Sequence, residues 1–191
     1  MTRTPEYDVS ADIPERPEPR PCGPCSLCCK LLNVPELNKP QGKWCEHVMH
    51  GKGCAIHATR PAVCRPYQCA WTISPHLPDS WRPDRAGFLA HRSADNALHI
   101  FNDDATPNAW RQEPFYSQIK SWSYRTGTPD DTQIIVHSQG KMSVVFPEGA
   151  IEVGPESNDP IYSGYEAVNG RRVPYARFGP PPASPTQPGV T

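Results

Sequence analysis

CGPCSLCC, residues 22–29, carries four of the eight cysteines in this chain of 191 residues. Cys22, Cys25 and Cys28 are each separated by two residues, and Cys29 follows directly. A C-x2-C spacing allows a tight turn to bring two thiolates to one metal ion, and the Gly-Pro pair suits such a turn. A third cysteine at the same spacing is typical of the runs that hold bacterial-type iron–sulfur clusters. The stretch therefore predicts a first half folded around zinc or an iron–sulfur cluster.

The remaining cysteines all lie in the segment that follows, at Cys45, Cys54, Cys64 and Cys69. Eight thiolates match two four-coordinate centres in number, so all eight cysteines are candidate metal ligands. Neighbouring side chains generally diverge, and Cys28 and Cys29 are therefore expected to serve different centres. His47 and His57 lie close to a cysteine in the sequence, and either could replace a thiolate as a ligand.

Clustered thiolates repel one another, so a site of this kind needs positive charge nearby. The cationic candidates are Lys30, Arg60 and Arg65. The two arginines could donate to thiolate sulfurs from just outside the site, and the alternative is that they are solvated surface residues. The aromatic side chains expected to cover the site and exclude solvent are those of Trp44, Tyr67 and Trp71.

The composition limits what surrounds this segment. With 25 prolines and a mean hydropathy of -0.63, much of the chain cannot be helix or packed core.

A net charge of -1 gives no reason to expect nucleic acid or a membrane as partner, and no apolar run reaches the about 20 residues of a membrane span. The polar start lacks the apolar core of a signal peptide. We therefore expect a cytoplasmic protein. In a reducing compartment clustered thiols bind metal more often than they form disulfides, and disulfide bonding is the alternative interpretation.

The chain divides into four segments by composition. Residues 1–20 are predicted to be disordered, and residues 156–191 to form an extended arm followed by a disordered proline-rich tail. Residues 21–75 hold every cysteine and form the predicted metal-binding domain, whereas residues 80–155 form a small unit of helix and strands. The predicted fold class is α+β, with an irregular, metal-stapled first half packed with a small antiparallel sheet and one helix.

Alternating apolar residues predict strands in AGFLAHR (86–92), ALHIF (97–101), QIIVHS (133–138) and MSVVF (142–146), with a short strand at 150–153. The third and fourth of these segments are expected to form a hairpin across Gln139, Gly140 and Lys141. Between the two strand pairs, the spacing in PFYSQIKSW (114–122) places apolar residues on one face of a helix. One helix packed against an antiparallel sheet is the expected arrangement.

From Pro21 to Trp71 the chain resembles the CxxCxxCC cysteine-cluster proteins, also called YkgJ-like, which are described as zinc- or iron-chelating domains. In that family a CxxCxxCC run is followed by a middle cysteine, a C-x-I-[YH] element and RP-x-x-CR. The counterparts here are CGPCSLCC, Cys45, CAIH and RPAVCR, with Cys69 following. The resemblance implies that all eight cysteines are candidate metal ligands, without indicating which metal they hold.

Two functional hypotheses follow. The leading one is a metal-binding protein that acts in redox chemistry or electron transfer if it holds iron and sulfide, or as a protein-interaction module if it holds zinc. Its partner would be another protein or a redox partner. The alternative is an enzyme or accessory factor in protein modification, because the flagellin lysine N-methylase has a similar cysteine cluster. Such an enzyme could use a reactive cysteine assisted by His47 or His57. A nucleic-acid-binding zinc ribbon is disfavoured because the cationic residues are scattered.

The sequence predicts no function for two other sets of polar residues. Asp103 and Asp104 are adjacent carboxylates in a turn-like stretch and are expected to be solvated. His99 and His137 lie outside the cysteine-rich segment and are expected to be structural or surface residues.

Overall fold

The computed structural model describes residues 18–93, 96–123 and 132–179. Most of the disorder predicted for residues 1–20, up to residue 17, and that predicted for the tail 180–191 lie outside the described residues. Arg20 contradicts the prediction, because its amide donates to the carbonyl of Thr72 over 2.8 Å and its guanidinium donates to the carbonyl of Leu77 over 3.0 Å. Within the described residues, strands in small sheets occur together with short helices, which confirms the α+β fold class. In the same ranges, no helix combines the length and apolar character needed to cross a membrane.

The cysteine-rich segment contains short regular elements. In it, the short helices α1 (Cys28–Leu31) and α2 (Ala70–Ile73) flank a two-stranded ribbon of β1 (Val48–Met49) and β2 (Gly53–Cys54). The rest of the segment turns repeatedly through 3₁₀ segments, as expected where glycine and proline interrupt regular hydrogen bonding. A further short helix, α3 (Pro83–Ala86), leads into the second half.

The second half contains a sheet of five strands, β3 (Phe88–Arg92), β4 (Leu98–Asn102), β5 (Ile134–Ser138), β6 (Lys141–Phe146) and β7 (Gly149–Pro155). The strands lie side by side in chain order. The pairs β3–β4, β5–β6 and β6–β7 are antiparallel, and each strand overlaps a segment that the sequence predicts as a strand. The predicted hairpin is also confirmed, with Gln139 and Gly140 as its turn.

The prediction of a wholly antiparallel sheet is wrong for one pair. Strands β4 and β5 are parallel, with Leu98 opposite Ile134 and Phe101 opposite His137. The chain between them passes through helix α4 (Phe115–Ser123) before it re-enters the sheet. A tight hairpin cannot join parallel strands, whereas a longer connection that contains a helix can. The sheet is therefore mixed.

Helix α4 is the predicted helix, and its predicted apolar face packs into the main core. Ile119 is fully buried, and Phe115 and Trp122 pack against the buried ring of Trp81. From the sheet, Ile100 of β4 joins the same core and is fully buried. This core of aromatic and aliphatic side chains holds the helix on one face of the sheet.

The segment predicted as an extended arm instead forms an antiparallel hairpin of β8 (Ile161–Val168) and β9 (Arg171–Phe178). Its ends pack near the sheet, because Ile161 and Phe178 join a cluster with the buried side chain of Met142. A glycine in β8 and a proline in β9 obscure the strand pattern. The Asn-Gly pair between the strands is the turn signal that could have found this hairpin.

Candidate functional site

The CGPCSLCC stretch forms a tight turn followed by helix α1. The amide of Cys25 donates to the carbonyl of Cys22 over 3.2 Å, and the amide of Cys29 donates to the carbonyl of Ser26 over 2.9 Å. Leu31 at the end of the helix is buried in a small cluster that includes a residue of β3. The stretch is therefore anchored on the sheet by its helix, while the turn carries the first two thiols.

The four later cysteines lie on or beside short elements, and one of them is hydrogen-bonded to α1. The amide of Cys45 donates to the carbonyl of Cys29 over 2.9 Å. Cys54 ends β2, Cys64 ends a 3₁₀ turn, and Cys69 immediately precedes α2. All eight cysteines have free thiols. The fold thus keeps every predicted ligand in one segment, without disulfides.

Four cysteines, which we call the first group, interact electrostatically with the phenol of Tyr67: Cys22, Cys25, Cys28 and Cys69. The phenolic oxygen of Tyr67 is buried and has no hydrogen-bond partner in the described part of the chain. Burial, followed by the nearby thiols, raises the pKa of this phenol well above its usual value, so it remains a proton donor. A buried donor without an acceptor costs about 1–3 kcal/mol. Tyr67 therefore places an unused donor beside four thiols.

The other four cysteines form a second group around the 3₁₀ turn of Cys64: Cys29, Cys45, Cys54 and Cys64. Burial raises the pKa of the Cys64 thiol, and the other three cysteines and Glu36 raise it further by electrostatic repulsion. The cysteines that act electrostatically on Tyr67 and those grouped with Cys64 thus form two sets of four, which are linked because Cys29 also acts on Cys22 and Cys28. The division follows tertiary packing, since Cys69 belongs with the start of the segment and not with Cys64.

Lys39 lies beside the second group, although nothing in its sequence context singled it out. The residue is only 6% exposed, and its ammonium donates to the carbonyl of Lys30 over 2.7 Å and to that of Leu32. Burial lowers the pKa of this amine, and the thiol of Cys29 opposes the fall most strongly among its neighbours. Lys39 is therefore a source of the positive charge that clustered thiols require.

The thiols of Cys28 and Cys29 interact with each other. The hydrogen bond from the Cys28 thiol lowers the pKa of Cys29 to about 7, with help from Lys39 and against the effect of burial. The same hydrogen bond and burial raise the pKa of Cys28. Since Cys28 interacts with the first group and Cys29 with the second, this pair lies at the border between the two groups.

The two candidate arginines brace the loop that carries Cys64. Arg60 donates to the carbonyl of Cys64 over 3.2 Å, and its Nη1 lies 2.6 Å from Nε2 of His57. Arg65 in turn donates to the carbonyl of Arg60 over 3.0 Å. These bonds end on backbone oxygens and on an imidazole, so both arginines shape the loop. Burial raises the pKa of the Cys22 thiol, and the positive charge of Arg60 opposes that rise.

The remaining candidates occupy different surroundings. Trp44 is 41% exposed and packs edge-on against the ring of His50. Trp71 is buried in the main core, and its indole nitrogen has no hydrogen-bond partner among the described residues. His47 places Nε2 3.5 Å from a carboxylate oxygen of Glu46.

Thiolate is a donor that zinc and iron–sulfur clusters both accept, so the chemistry of the two groups fits such a centre. Across the described ranges, no three side chains of His, Cys, Asp or Glu converge closely enough to hold a metal ion. Each group is therefore a neighbourhood of thiols whose sulfurs would have to approach one another to bind metal. Metal binding and local folding are commonly coupled in this way.

Asp103 is a residue that sequence reasoning missed. It was expected to be solvated, yet it is buried, and its Oδ1 accepts a hydrogen bond from Nζ of Lys30 over 2.5 Å. Its position directly after the buried strand β4 is the signal that could have found it. Because Lys30 directly follows Cys29, the ion pair ties the cysteine-rich segment to the sheet.

Comparison of this chain with protein-family models, with curated proteins and with solved structures found no match.

Proposed function

We propose that this chain is a metal-binding protein that holds zinc or an iron–sulfur cluster through its cysteines. The buried hydroxyl of Tyr67, an unused donor beside Cys22, Cys25, Cys28 and Cys69, is the observation that carries the proposal. A neutral thiol is a weak hydrogen-bond acceptor, whereas a thiolate bound to metal carries negative charge and accepts more strongly. A metal centre in the first group would supply the acceptor that this hydroxyl lacks.

In this proposal the first group holds one centre and the second group holds another. Cys28 and Cys29 then belong to different centres, as the sequence predicts, and Lys39 offsets negative charge at the second one. A cluster of iron and sulfide would supply a site for electrons, whereas zinc bound by four thiolates would stabilise the fold of the segment. The biological role is correspondingly redox chemistry and electron transfer, or interaction with another protein.

The resemblance to the CxxCxxCC family supports the same proposal, since it covers both groups. A reducing compartment such as the cytoplasm suits it as well, because eight free thiols persist there. The partner we propose is a protein or a redox partner. The scattered cations of the cysteine-rich segment offer no stripe for nucleic acid.

A second candidate function, an enzyme or accessory factor in protein modification, has one observation in its favour. Cys29 has a pKa lowered to about 7, which would give a substantial thiolate fraction at neutral pH. Alkylation of the metal-loaded protein separates the two candidates. A nucleophilic Cys29 would be labelled rapidly, whereas a metal ligand would be protected.

The first experiment is analysis of iron, zinc and acid-labile sulfide, with a visible absorption spectrum, on protein purified without oxygen. We expect one centre per group, and therefore that Cys25→Ser and Cys54→Ser each remove about half of the bound metal because each deletes a ligand of one centre. Val63→Ala, at an exposed position beside Cys64, is the matched control and should keep the full metal content.

Full metal content in both cysteine variants would contradict the ligand assignment. Complete loss in Cys54→Ser, with circular dichroism showing an intact fold, would contradict the division into two centres. Protein that binds neither zinc nor iron after reduction and reconstitution would contradict metal binding itself.

A further inference from the structure

Little of the hairpin of β8 and β9 is covered by the rest of the described structure. None of the eight residues in either strand is buried. One face contacts the sheet, because Ile161 and Phe178 pack beside Met142 and the ring of Tyr165 packs edge-on against that of Phe146. A hairpin of two strands is at best marginally stable in water, whereas three or more strands with an apolar face form a stable sheet. A further strand would therefore stabilise this hairpin.

The other face of the hairpin carries an apolar stripe. Successive residues of a strand point to opposite faces, so Tyr162 and Val168 of β8 lie on the face opposite to that of Ile161. The register places Val173 of β9 across from Glu166, on the same outer face. These three apolar residues are 36%, 43% and 38% exposed, respectively. Exposed apolar surface bordered by charged residues is typical of a protein–protein interface.

The two edges of the hairpin differ in what would oppose a further strand. Proline and charged residues on an edge strand discourage pairing with another chain. Strand β9 contains Pro174 and three arginines: Arg171, Arg172 and Arg177. Strand β8 has no proline or basic residue, and Glu166 is its only charged residue. In the described ranges β8 pairs with no strand except β9, so the edge of β8 is the one open to another strand.

The residues of β8 favour a second copy of this chain as the occupant of that edge. Tyr162 and Val168 lie near opposite ends of the strand. Antiparallel pairing of two β8 strands about a twofold axis would therefore bring Tyr162 of each copy to Val168 of the other. A tyrosine beside a valine across two strands is one of the pairs that stabilise sheets, and the twofold axis would form it twice.

The charges of the hairpin favour the same arrangement. In the strand order β9–β8–β8–β9, the two β9 strands with their arginines would lie about 14 Å apart, because neighbouring strands are separated by about 4.8 Å. This distance exceeds the Debye length of about 8 Å at physiological salt, so repulsion between the arginines would be screened. Pairing of β9 with β9 would instead place the arginines of two copies side by side.

We propose that two copies of this chain associate by antiparallel pairing of β8 with β8, which forms a four-stranded sheet with a continuous apolar outer face. The side chain of Gln133 donates to the carbonyl of Ile161 over 3.2 Å, so the pairing covers residues 162–168, beyond that carbonyl. An interface of one strand pair is small, and the dimer is therefore reversible. The contact is separate from metal binding, because β8 lies outside the cysteine-rich segment.

The experiment is sedimentation equilibrium of the full chain, as purified, in reducing buffer, which prevents disulfides between copies. We expect the average mass to rise from that of one chain, 21.2 kDa, toward that of two as the concentration rises from about 1 to 500 µM. Amide hydrogen exchange in residues 161–168 should slow over the same range, while that in residues 171–178 stays unchanged.

Two valines of the outer face provide a variant and its matched control. Val168→Lys should raise the dissociation constant of the dimer at least about tenfold, because lysine on an edge strand opposes pairing. Val173→Lys makes the same change at a similarly exposed position in β9, and should alter the dissociation constant by less than about twofold. Circular dichroism checks that both variants keep the fold.

Four outcomes would overturn the proposal. The first is the mass of a single chain at every concentration. The second is an unchanged dissociation constant in Val168→Lys. The third is an equal effect of the two lysine variants, which would place the contact on the outer face and not on the edge of β8. The fourth is association that disappears when metal is chelated, which would place the contact in the cysteine-rich segment.

Discussion

At the scale of single residues, the buried hydroxyl of Tyr67 can be tested by its removal, because the expected change in the free energy of unfolding has opposite signs with and without metal. In metal-free protein, Tyr67→Phe removes a buried donor that lacks an acceptor, so we expect no loss of stability, or a gain of up to about 1–3 kcal/mol. In metal-loaded protein, the same change removes a hydrogen bond to a bound thiolate and should cost about 1–3 kcal/mol. Urea unfolding of both forms measures the two values.

Tyr162→Phe is the control for this change, since Tyr162 is an exposed tyrosine of the β8–β9 hairpin. It should alter the free energy of unfolding little in either form. If Tyr67→Phe has the same effect with and without metal, the hydroxyl does not donate to a metal-bound thiolate, and the observation that carries the proposed function is lost.

At the scale of elements, the junction between α3 and β3 depends on Gly87. This residue has a φ of +75°, which ends the helix, and an added Cβ would lie 2.6 Å from Oγ1 of Thr106 and 3.0 Å from Cβ of Ala109. We expect Gly87→Ala to lower the free energy of unfolding by about 2–4 kcal/mol, because left-handed strain and steric overlap add. Urea denaturation monitored by circular dichroism measures the loss.

Gly170 provides a matched comparison, since its φ is +74° and nothing lies within 4 Å of an added Cβ. Gly170→Ala should therefore cost only the backbone strain, about 1–2 kcal/mol. Equal losses in the two variants would show that Thr106 and Ala109 move aside without cost.

At the scale of the whole molecule, the two halves are stabilised by different interactions. The sheet and α4 surround a core in which Phe88, Ile100 and Ile119 are at most 1% exposed. The cysteine-rich segment has short elements and many turns, so its stability would depend on bound metal if the proposed function holds.

We therefore expect that chelation raises amide hydrogen exchange in residues 22–69 by at least about tenfold, while residues 88–102 and 134–155 stay protected. Mass spectrometry of peptides from these ranges measures both. Exchange that rises equally in the sheet would show that the halves unfold together. Unchanged exchange in the cysteine-rich segment would show that metal does not stabilise it.

Local patterns predicted much of the second half. The apolar residues of FLAHR and MSVVF predict β3 and β6, each of which has three consecutive buried residues, and the spacing of Phe115, Ile119 and Trp122 predicts α4. The parallel pairing of β4 with β5 could not be predicted in this way. Strand direction depends on where the intervening chain packs, and the residues of a strand do not encode it.

The sequence alone determined that eight thiols occupy one segment, that an α+β unit follows, and which face of α4 is buried, because spacing and apolar periodicity are local properties. Only the tertiary structure decided that Cys69 joins Cys22 and Cys25 around Tyr67, and that the side chains of His137 and Glu156 meet. These associations bring together residues far apart in the chain. They depend on the long-range packing of the segment on a mixed sheet, which no local pattern specifies.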